Sequence, residues 1–350
     1  MSAAGRQAGD NRLRTVLFGY GLGGRVFHAP LVEADPRYSL DVIVTSDPAR
    51  AAAAQTAYPA AAVVPTAEAA LDLAADLDLA VISTPPATHT PLALAALEAG
   101  LGAVVDKPFA HSPEAARQLM SAATAARQVL TVFQNRRWDG DFLTLKGLLE
   151  RGELGAVTRF ESRMESFKPA VTKAWKREAG AHDGGGILFD LGPHLIDQAL
   201  QLFGPAEPAY AEIRSRREAG GPDDDVFVVL QHASGVQSHL WMNSLAPQPG
   251  ERFRVTGSKA AWTKHGVDPQ EAQLDAGMLP GDAGYGEEQP AGWGVLGTAA
   301  SNSAVPTEAG RYQDFYGALA AAVREGGPLP VDPADSLRGL EIIRQIHAGI

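Results

Sequence analysis

Residues 15–30 read TVLFGYGLGGRVFHAP. Thr15–Phe18 is a short apolar run that stops at Gly19-x-Gly21-x-x-Gly24. A strand feeding a glycine turn that opens a helix is the arrangement that seats a dinucleotide. The first glycine permits the tight turn, the second lets backbone approach a pyrophosphate, and the third lets helix pack on strand. Amides at the helix start then face the phosphates. The competing reading is a plain tight turn in a glycine-rich chain. The loop is not GxxxxGK[ST] and no Walker lysine follows it, which disfavours an ATPase.

The same alternation continues outward from this turn. Leu40–Thr45, Leu79–Ser83, Ala103–Asp106 and Val129–Phe133 are further apolar runs. Between them lie the alanine-rich stretches Ala49–Ala57, Ala67–Ala75, Pro91–Gly100 and Pro113–Arg127. Alanine is the strongest helix former, so strands alternate with helices. That pattern predicts a parallel sheet covered by helices on both faces. Ser112-Pro113-Glu114 is a good helix start, with an N-cap serine, proline at the first turn and an acid at the positive end.

After residue 135 the character changes. Val157–Ser166, Tyr210–Arg216, Val226–Gln231, Val236–Met242 and Glu251–Thr256 read as strands in quick succession, which predicts a mainly antiparallel sheet. Ile187–Phe203 reads as a helix, and Asp314–Arg324 and Ser336–His347 as closing helices. Gly277–Pro306 is rich in Gly, Pro, Ala and Ser and reads as a long irregular loop. The organisation expected is an α/β protein: a polar, disordered leader at 1–12, a dinucleotide-binding domain at 13–134, and a second domain at 135–350.

Composition narrows the function. The 350 residues carry a formal charge of −11, from 41 acidic and 30 basic side chains, which disfavours a broad nucleic-acid surface. Cysteine is absent, excluding disulfides, thiolate zinc sites and a cysteine nucleophile. No apolar run approaches the roughly 18 residues of a membrane span, and the start MSAAGRQAGDNR lacks the apolar core of a secretory signal. A cytoplasmic protein without a membrane partner is expected.

Three further segments carry chemistry. The second strand ends in VIVTSDPAR, residues 42–50. An acid there would hold the ribose of NAD, whereas a small polar residue with a nearby arginine would accept the phosphate of NADP. Thr45 and Ser46 come first, then Asp47, with Arg50 one turn on, so NADP is expected and NAD remains possible. Ser46-Asp47-Pro48 also reads as a helix cap, compatible with either cofactor. Asp106-Lys107-Pro108 places Lys107 at the carboxyl end of a parallel strand, where such sheets bind ligands. Residues 184–204 read GGGILFDLGPHLIDQALQLFG, and Asp190, His194 and Asp197 share one helical face while Leu191, Leu195 and Leu202 can face the core. Asp190 can reach His194 and orient it as a general base. The alternatives are a buried structural histidine, or a metal held by carboxylate and imidazole; no other clustered ligands are evident, and no metal is expected.

Taken together, GYGLGGR, STPPATH, Asp106-Lys107-Pro108 and Asp190-x-x-x-His194 resemble the Gfo/Idh/MocA family of nicotinamide-dependent oxidoreductases. Within it the chain is most similar to NADP-dependent scyllo-inositol 2-dehydrogenases, through QNRRWDGDFLTLKGLL, DLGPHLIDQ and GVDPQEAQL. The resemblance implies a Rossmann domain followed by an α/β domain whose large open sheet supports a homodimer or homotetramer. It implies a catalytic trio of Lys107, Asp190 and His194. Gly19, Gly21, Leu22 and Gly24 would take the pyrophosphate; Thr84, Pro85, His89, Asp106 and Lys107 would line the rest of the cofactor. Asn135, Arg136, Arg137 and Trp138, with Trp175 in the basic loop Lys173–Lys176, would meet a polyol substrate; the competing readings are an interface salt bridge for Arg136 and Arg137 and ordinary packing for Trp175. Two departures stand out: Pro86 where the family often has Asn, and Asp106 for the commoner Glu. The implied reaction is reversible oxidation of a cyclitol or sugar secondary alcohol, with His194 taking the proton and Lys107 stabilising the oxygen. A dehydrogenase or reductase of the same family acting on an aldose or another sugar, a non-catalytic dinucleotide- or sugar-sensing regulator, and a metal-dependent lyase or isomerase using Asp190 and His194 are the rival readings.

Overall fold

The computed structural model describes residues 11–170, 185–218 and 221–349. It divides into two compact units, discontinuous in sequence: residues 1–134, 271–285 and 312–337, and residues 135–270, 286–311 and 338–350.

In the first unit, the described residues form six strands: β1 (Leu13–Phe18), β2 (Tyr38–Val44), β3 (Ala62–Val64), β4 (Leu79–Ile82), β5 (Gly102–Asp106) and β6 (Leu130–Phe133). Their order is β3-β2-β1-β4-β5-β6, and all run parallel. This is the doubly wound order, and its strand sequence reverses between β1 and β4, the place where such sheets bind ligands. β1, β4 and β5 are buried almost throughout, which is why they read as continuous apolar runs. β3 is three residues long and only partly covered, so no apolar run announced it. The intervening helices are α1 (Ala29–Ala34), α2 (Pro48–Ala57), α3 (Ala67–Leu71), α4 (His89–Glu98) and α5 (Pro113–Ala126). A π-helical turn over Gly23–His28 leads directly into α1. Ser112 caps α5 by accepting the Ala115 N–H at 3.2 Å, with Pro113 in the first turn.

The second unit contains α6 (Gly140–Glu150), β7 (Val157–Glu165), α7 (Ile187–Phe203), β8 (Ala206–Arg214), β9 (Asp225–His232), β10 (Gln237–Asn243), β11 (Phe253–Gly257), β12 (Ala261–Lys264), β13 (Gly294–Gly297) and β14 (Asn302–Val305). Among the described residues the sheet has eight strands in the order β14-β13-β12-β11-β7-β10-β9-β8. β7 and β10 are parallel and the other neighbours antiparallel, so the sheet is mixed. α7 lies across β7, β9 and β10. Of the leucines expected to face the core, Leu195 is fully buried, while Leu191 and Leu202 are half-buried; Leu188 and Ile196 supply the buried side instead.

Two expectations need correction. Residues 277–306 are not one irregular loop, because β13 and β14 extend the sheet through β12. A side chain on Gly294 would strike the Trp262 indole, its Cβ standing 2.5 Å from Nε1, so this strand reads as glycine-rich loop. The buried Lys264 ammonium, 2.8 Å from Glu288, anchors the approach to it. The remaining helices are α8 (Gln270–Asp275), α9 (Gln313–Glu325) and α10 (Pro333–Ala348). α9 belongs to the first unit, not to a second domain running to residue 350. Its aromatic face explains this: Phe315 meets Phe133 edge-on at 4.9 Å, and the Tyr316 carbonyl accepts the Tyr38 O–H at 2.7 Å. Among the described residues, no helix is long and apolar enough to cross a membrane.

Candidate active site

The glycine turn after β1 has the shape of a phosphate cradle. Gly19 has φ +96°, and a Cβ there would stand 2.4 Å from the Ser83 carbonyl oxygen. A Cβ on Gly24 would stand 2.0 Å from the Gly19 carbonyl oxygen. Both positions therefore exclude any side chain. Gly21 differs: the nearest atom to its Cβ position is Arg50 Nη1 at 3.9 Å, so backbone is open there to a phosphate. Leu22 beside it is exposed. This set of glycines fits a dinucleotide.

At the end of β2, Thr45 is buried and its N–H donates to the Val64 carbonyl, while Ser46 is exposed. The Asp47 carboxylate caps α2, accepting the Arg50 N–H at 3.0 Å. That backbone hydrogen bond is the main reason its carboxyl is held below the ordinary range. Past β4, the Thr88 hydroxyl contacts Thr84 Oγ1 and the Pro85 carbonyl, each at 2.7 Å. His89 is buried, and its ring nitrogens lie 2.9 Å from the Pro108 and Thr84 carbonyl oxygens, tying the two turns together.

β5 ends at Asp106, and the Lys107–Pro108 peptide is cis. Asp106 Oδ1 accepts the Lys107 N–H at 2.8 Å and Oδ2 accepts the Ser83 hydroxyl at 3.0 Å. Burial pushes the Asp106 carboxyl up, but contact with His28 and the fields of His28, His89 and Lys107 outweigh it and hold the carboxyl low. Asp106 is thus an ionised anchor for the lysine turn.

In the second unit, α7 carries Asp190, half-buried, with His194 and Asp197 buried on the same face. Asp223 builds its start: the Leu188 N–H donates to the Asp223 carboxylate at 2.8 Å, and the Ile187 N–H donates to the Asp223 carbonyl at 2.8 Å. Gly186, at φ +93°, makes room, since a Cβ there would stand 2.0 Å from Asp223 Oδ1. Burial pushes the Asp223 carboxyl up. Arg137 donates to Asp197 through both Nε (2.8 Å) and Nη2 (2.6 Å). Arg136 Nη1 lies 3.3 Å from Asp139, and its carbonyl accepts Gln198 Nε2 at 2.9 Å. Arg252, itself buried, donates to Gln198 and Ser162 and lies 3.7 Å from Asp141. The turn Asn135–Trp138 is therefore fastened to α7 through Arg137 and Gln198. Asn135 is buried and Trp138 half-buried.

The structure thus brings together Gly19, Gly21, Gly24 and Arg50, and separately Asp106, Lys107 and His89, in the first unit. It brings Asn135, Arg136, Arg137 and Trp138 to α7 in the second. Trp175, with Lys173 and Lys176, lies outside the described residues. Sequence reading passed over Ser83, Asp223 and Arg252. It also passed over His28, although FHAP directly follows the glycine turn; that adjacency was the available signal. Among the described residues, no three His, Asp or Glu side chains cluster as a metal site requires.

Comparison with known proteins agrees with this architecture. Residues 13–134 match the model described as "Oxidoreductase family, NAD-binding Rossmann fold", and residues 142–263 match the "GFO/IDH/MocA C-terminal domain". The chain is 38% identical to the uncharacterized oxidoreductase YdgJ of Escherichia coli, over 95% of each chain. It is 32% identical to the scyllo-inositol 2-dehydrogenase (NADP(+)) IolW of Bacillus subtilis, over 99% of this chain and 95% of that one. The solved structure of yvaA from Bacillus subtilis superposes with a TM-score of 0.89 at 31% identity, covering 96% of this chain and 95% of that one. With both halves matched and relatives aligned end to end, the chain belongs to the Gfo/Idh/MocA family of oxidoreductases with an NAD-binding Rossmann fold.

Proposed function

We propose that the protein is an NADP-dependent dehydrogenase that oxidises a ring secondary alcohol of a cyclitol resembling scyllo-inositol. The observation that carries this reading is the meeting, at the carboxyl ends of β1, β4 and β5, of a glycine cradle open at Gly21 with a lysine whose neighbour Asp106 is held ionised. The full-length likeness to a scyllo-inositol 2-dehydrogenase supports the substrate class.

The nicotinamide cofactor supplies the hydride acceptor. Gly19, Gly21, Leu22 and Gly24 seat its pyrophosphate. Thr45, Ser46 and Arg50 take the ribose phosphate, with Asp47 occupied as the α2 cap and Arg50 beside the glycine turn favouring NADP over NAD. Thr84, Pro85 and Asp106 border the nicotinamide side, and His89 fixes the Thr84 and Pro108 turns. His194 removes the hydroxyl proton as general base, and Asp190 orients its ring. Lys107 stabilises the oxygen as the carbon–oxygen double bond forms. The products are a ketone, the reduced cofactor and one proton. Asn135, Arg136, Arg137 and Trp138 shape the polyol pocket, Arg137 acting through its bond to Asp197.

We further read the protein as a cytoplasmic homodimer or homotetramer built on the eight-stranded sheet. One face of that sheet carries a half-buried row in which Phe227 meets Trp241 at 4.7 Å and Arg163 stacks over Trp241 at 3.9 Å. A panel of inositol isomers and aldoses, assayed with NADP and NAD by cofactor absorbance, tests the substrate. Fastest turnover of scyllo-inositol with NADP is expected; turnover of aldoses alone moves the protein to the sugar dehydrogenases, and no turnover of any alcohol defeats the reading. His194→Ala and Lys107→Ala each lose ~10²–10⁴-fold in kcat while binding cofactor; near-wild-type rates in both reject the mechanism.

A further inference from the structure

We propose that His28 is a positioning residue for hydride transfer, holding the Asp106 carboxylate that fixes the Lys107 turn. The inference rests on the proposed function only in giving Lys107 a catalytic task.

His28 ends the π-helical turn that begins at the phosphate cradle. Single π-helical turns are frequent at functional sites. Here the His28 ring is fully buried, 4.3 Å from the Phe133 ring. Its Nδ1 lies 2.7 Å from the Tyr316 hydroxyl, and its Nε2 faces Asp106 Oδ2 at 3.6 Å. Nε2 is buried and makes no hydrogen bond. Packing alone would be served as well by phenylalanine, without the cost of a desolvated ring nitrogen. Burial, with Tyr38 and Asp106 close by, keeps the Tyr316 phenol protonated, so its O–H can donate to Nδ1. Nε2 then bears the ring proton and directs it at Asp106.

Asp106 transmits the constraint in two directions. Oδ1 grips the Lys107 backbone, and Oδ2 holds Ser83. The glycine turn closes on this pair: a Cβ on Gly23 would stand 2.4 Å from Ser83 Oγ and 2.9 Å from Asp106 Oδ2. The phosphate cradle and the lysine turn thus share one cluster, with His28 beneath it. Asp106 is one methylene shorter than glutamate, so its carboxylate stays close to the backbone it holds.

The test uses the full-length protein carrying ¹³C-methylated lysines, with the Lys107 signal assigned from Lys107→Arg, and parallel kinetics. His28→Phe keeps the ring stack and removes Nε2. His28→Asn reaches Tyr316 but not Asp106, and His28→Gln restores an N–H toward Asp106. The phenylalanine and asparagine variants are expected to shift the Lys107 resonance with and without NADPH. They should lower kcat about ten- to a hundredfold, as a misplaced reacting group does, with the cofactor KM unchanged. The glutamine variant should recover most of the rate. In an Asp106→Asn background, His28→Phe should add no further loss. An unmoved Lys107 signal in either folded variant, or an equal rate loss in the Asp106→Asn background, overturns the proposal. The spectra need no substrate, so they decide on His28 even if every alcohol fails and the proposed function falls.

Discussion

Replacing Asp197 with alanine removes a bidentate partner of the largely buried Arg137 guanidinium and should be among the most destabilising single changes in the second unit. The Arg137 side chain is 11% exposed and that of Asp197 5%, with two hydrogen bonds of 2.8 and 2.6 Å between them. Stripping one ion from a buried pair typically costs about 3–5 kcal/mol, because the other charge stays desolvated. In a domain of roughly 150–250 residues each kcal/mol moves Tm by about 2–4 °C, so a fall of about 10 °C is expected. Replacing both ions with apolar groups, Arg137→Met with Asp197→Leu, should recover most of that loss, since apolar pairs of similar volume are often neutral or better. The assay is scanning calorimetry of wild type, Asp197→Ala and the double variant at one pH and salt concentration. A loss below about 1 kcal/mol in Asp197→Ala would refute the reasoning, because that is the worth of a solvated surface pair. A double variant no more stable than the single would refute it too.

Arg50→Ala should raise KM for NADP about ten- to a hundredfold, the worth of one charge-assisted hydrogen bond, and leave KM for NAD unchanged; equal effects on both cofactors would remove Arg50 from phosphate recognition. Gly24→Ala should abolish NADPH binding measured by fluorescence, since its Cβ would stand 2.0 Å from a backbone oxygen; wild-type affinity would contradict the packing. Burial and the nearby Asp141 push the Asp268 carboxyl up to about 6. An acid raised on folding binds its proton more tightly in the native state, so its contribution to stability falls as pH rises from about 4 to 6. Asp268→Asn removes that titration, and the stability of the variant relative to wild type should improve by about 3 kcal/mol between pH 4 and pH 8; a constant difference across that range would refute the shift.

Much of the first unit was legible because strands buried on both faces read as uninterrupted apolar runs, as in Val16–Phe18 and Leu79–Ile82. The glycine spacing also had a direct steric meaning, visible in the space denied to Gly19 and Gly24. What stayed hidden depends on partners distant in sequence. β13 is a strand because it pairs with β12, and β14 because it pairs with β13, and their Gly, Ala and Ser residues show no alternation. α9 joins the first unit through Phe315 and Tyr316, a choice among apolar surfaces that periodicity cannot make. At the site, the spacing placed Asp190, His194 and Asp197 on one face, but nothing local revealed that Asp197 is committed to Arg137. The His28–Asp106 contact spans even more chain. Residue type and spacing reveal chemistry along one element; the supporting contacts emerge only when elements pack.

Hydride transfer can be followed by its isotope. Wild-type protein is incubated with NADP and scyllo-inositol deuterated at its ring carbons, and the reduced cofactor is analysed by mass spectrometry and NMR. Deuterium on nicotinamide C4 is predicted, because the hydrogen leaves carbon as hydride. Reduced cofactor without the label, or bound NADP that is never reduced, would contradict a dehydrogenase acting on this alcohol.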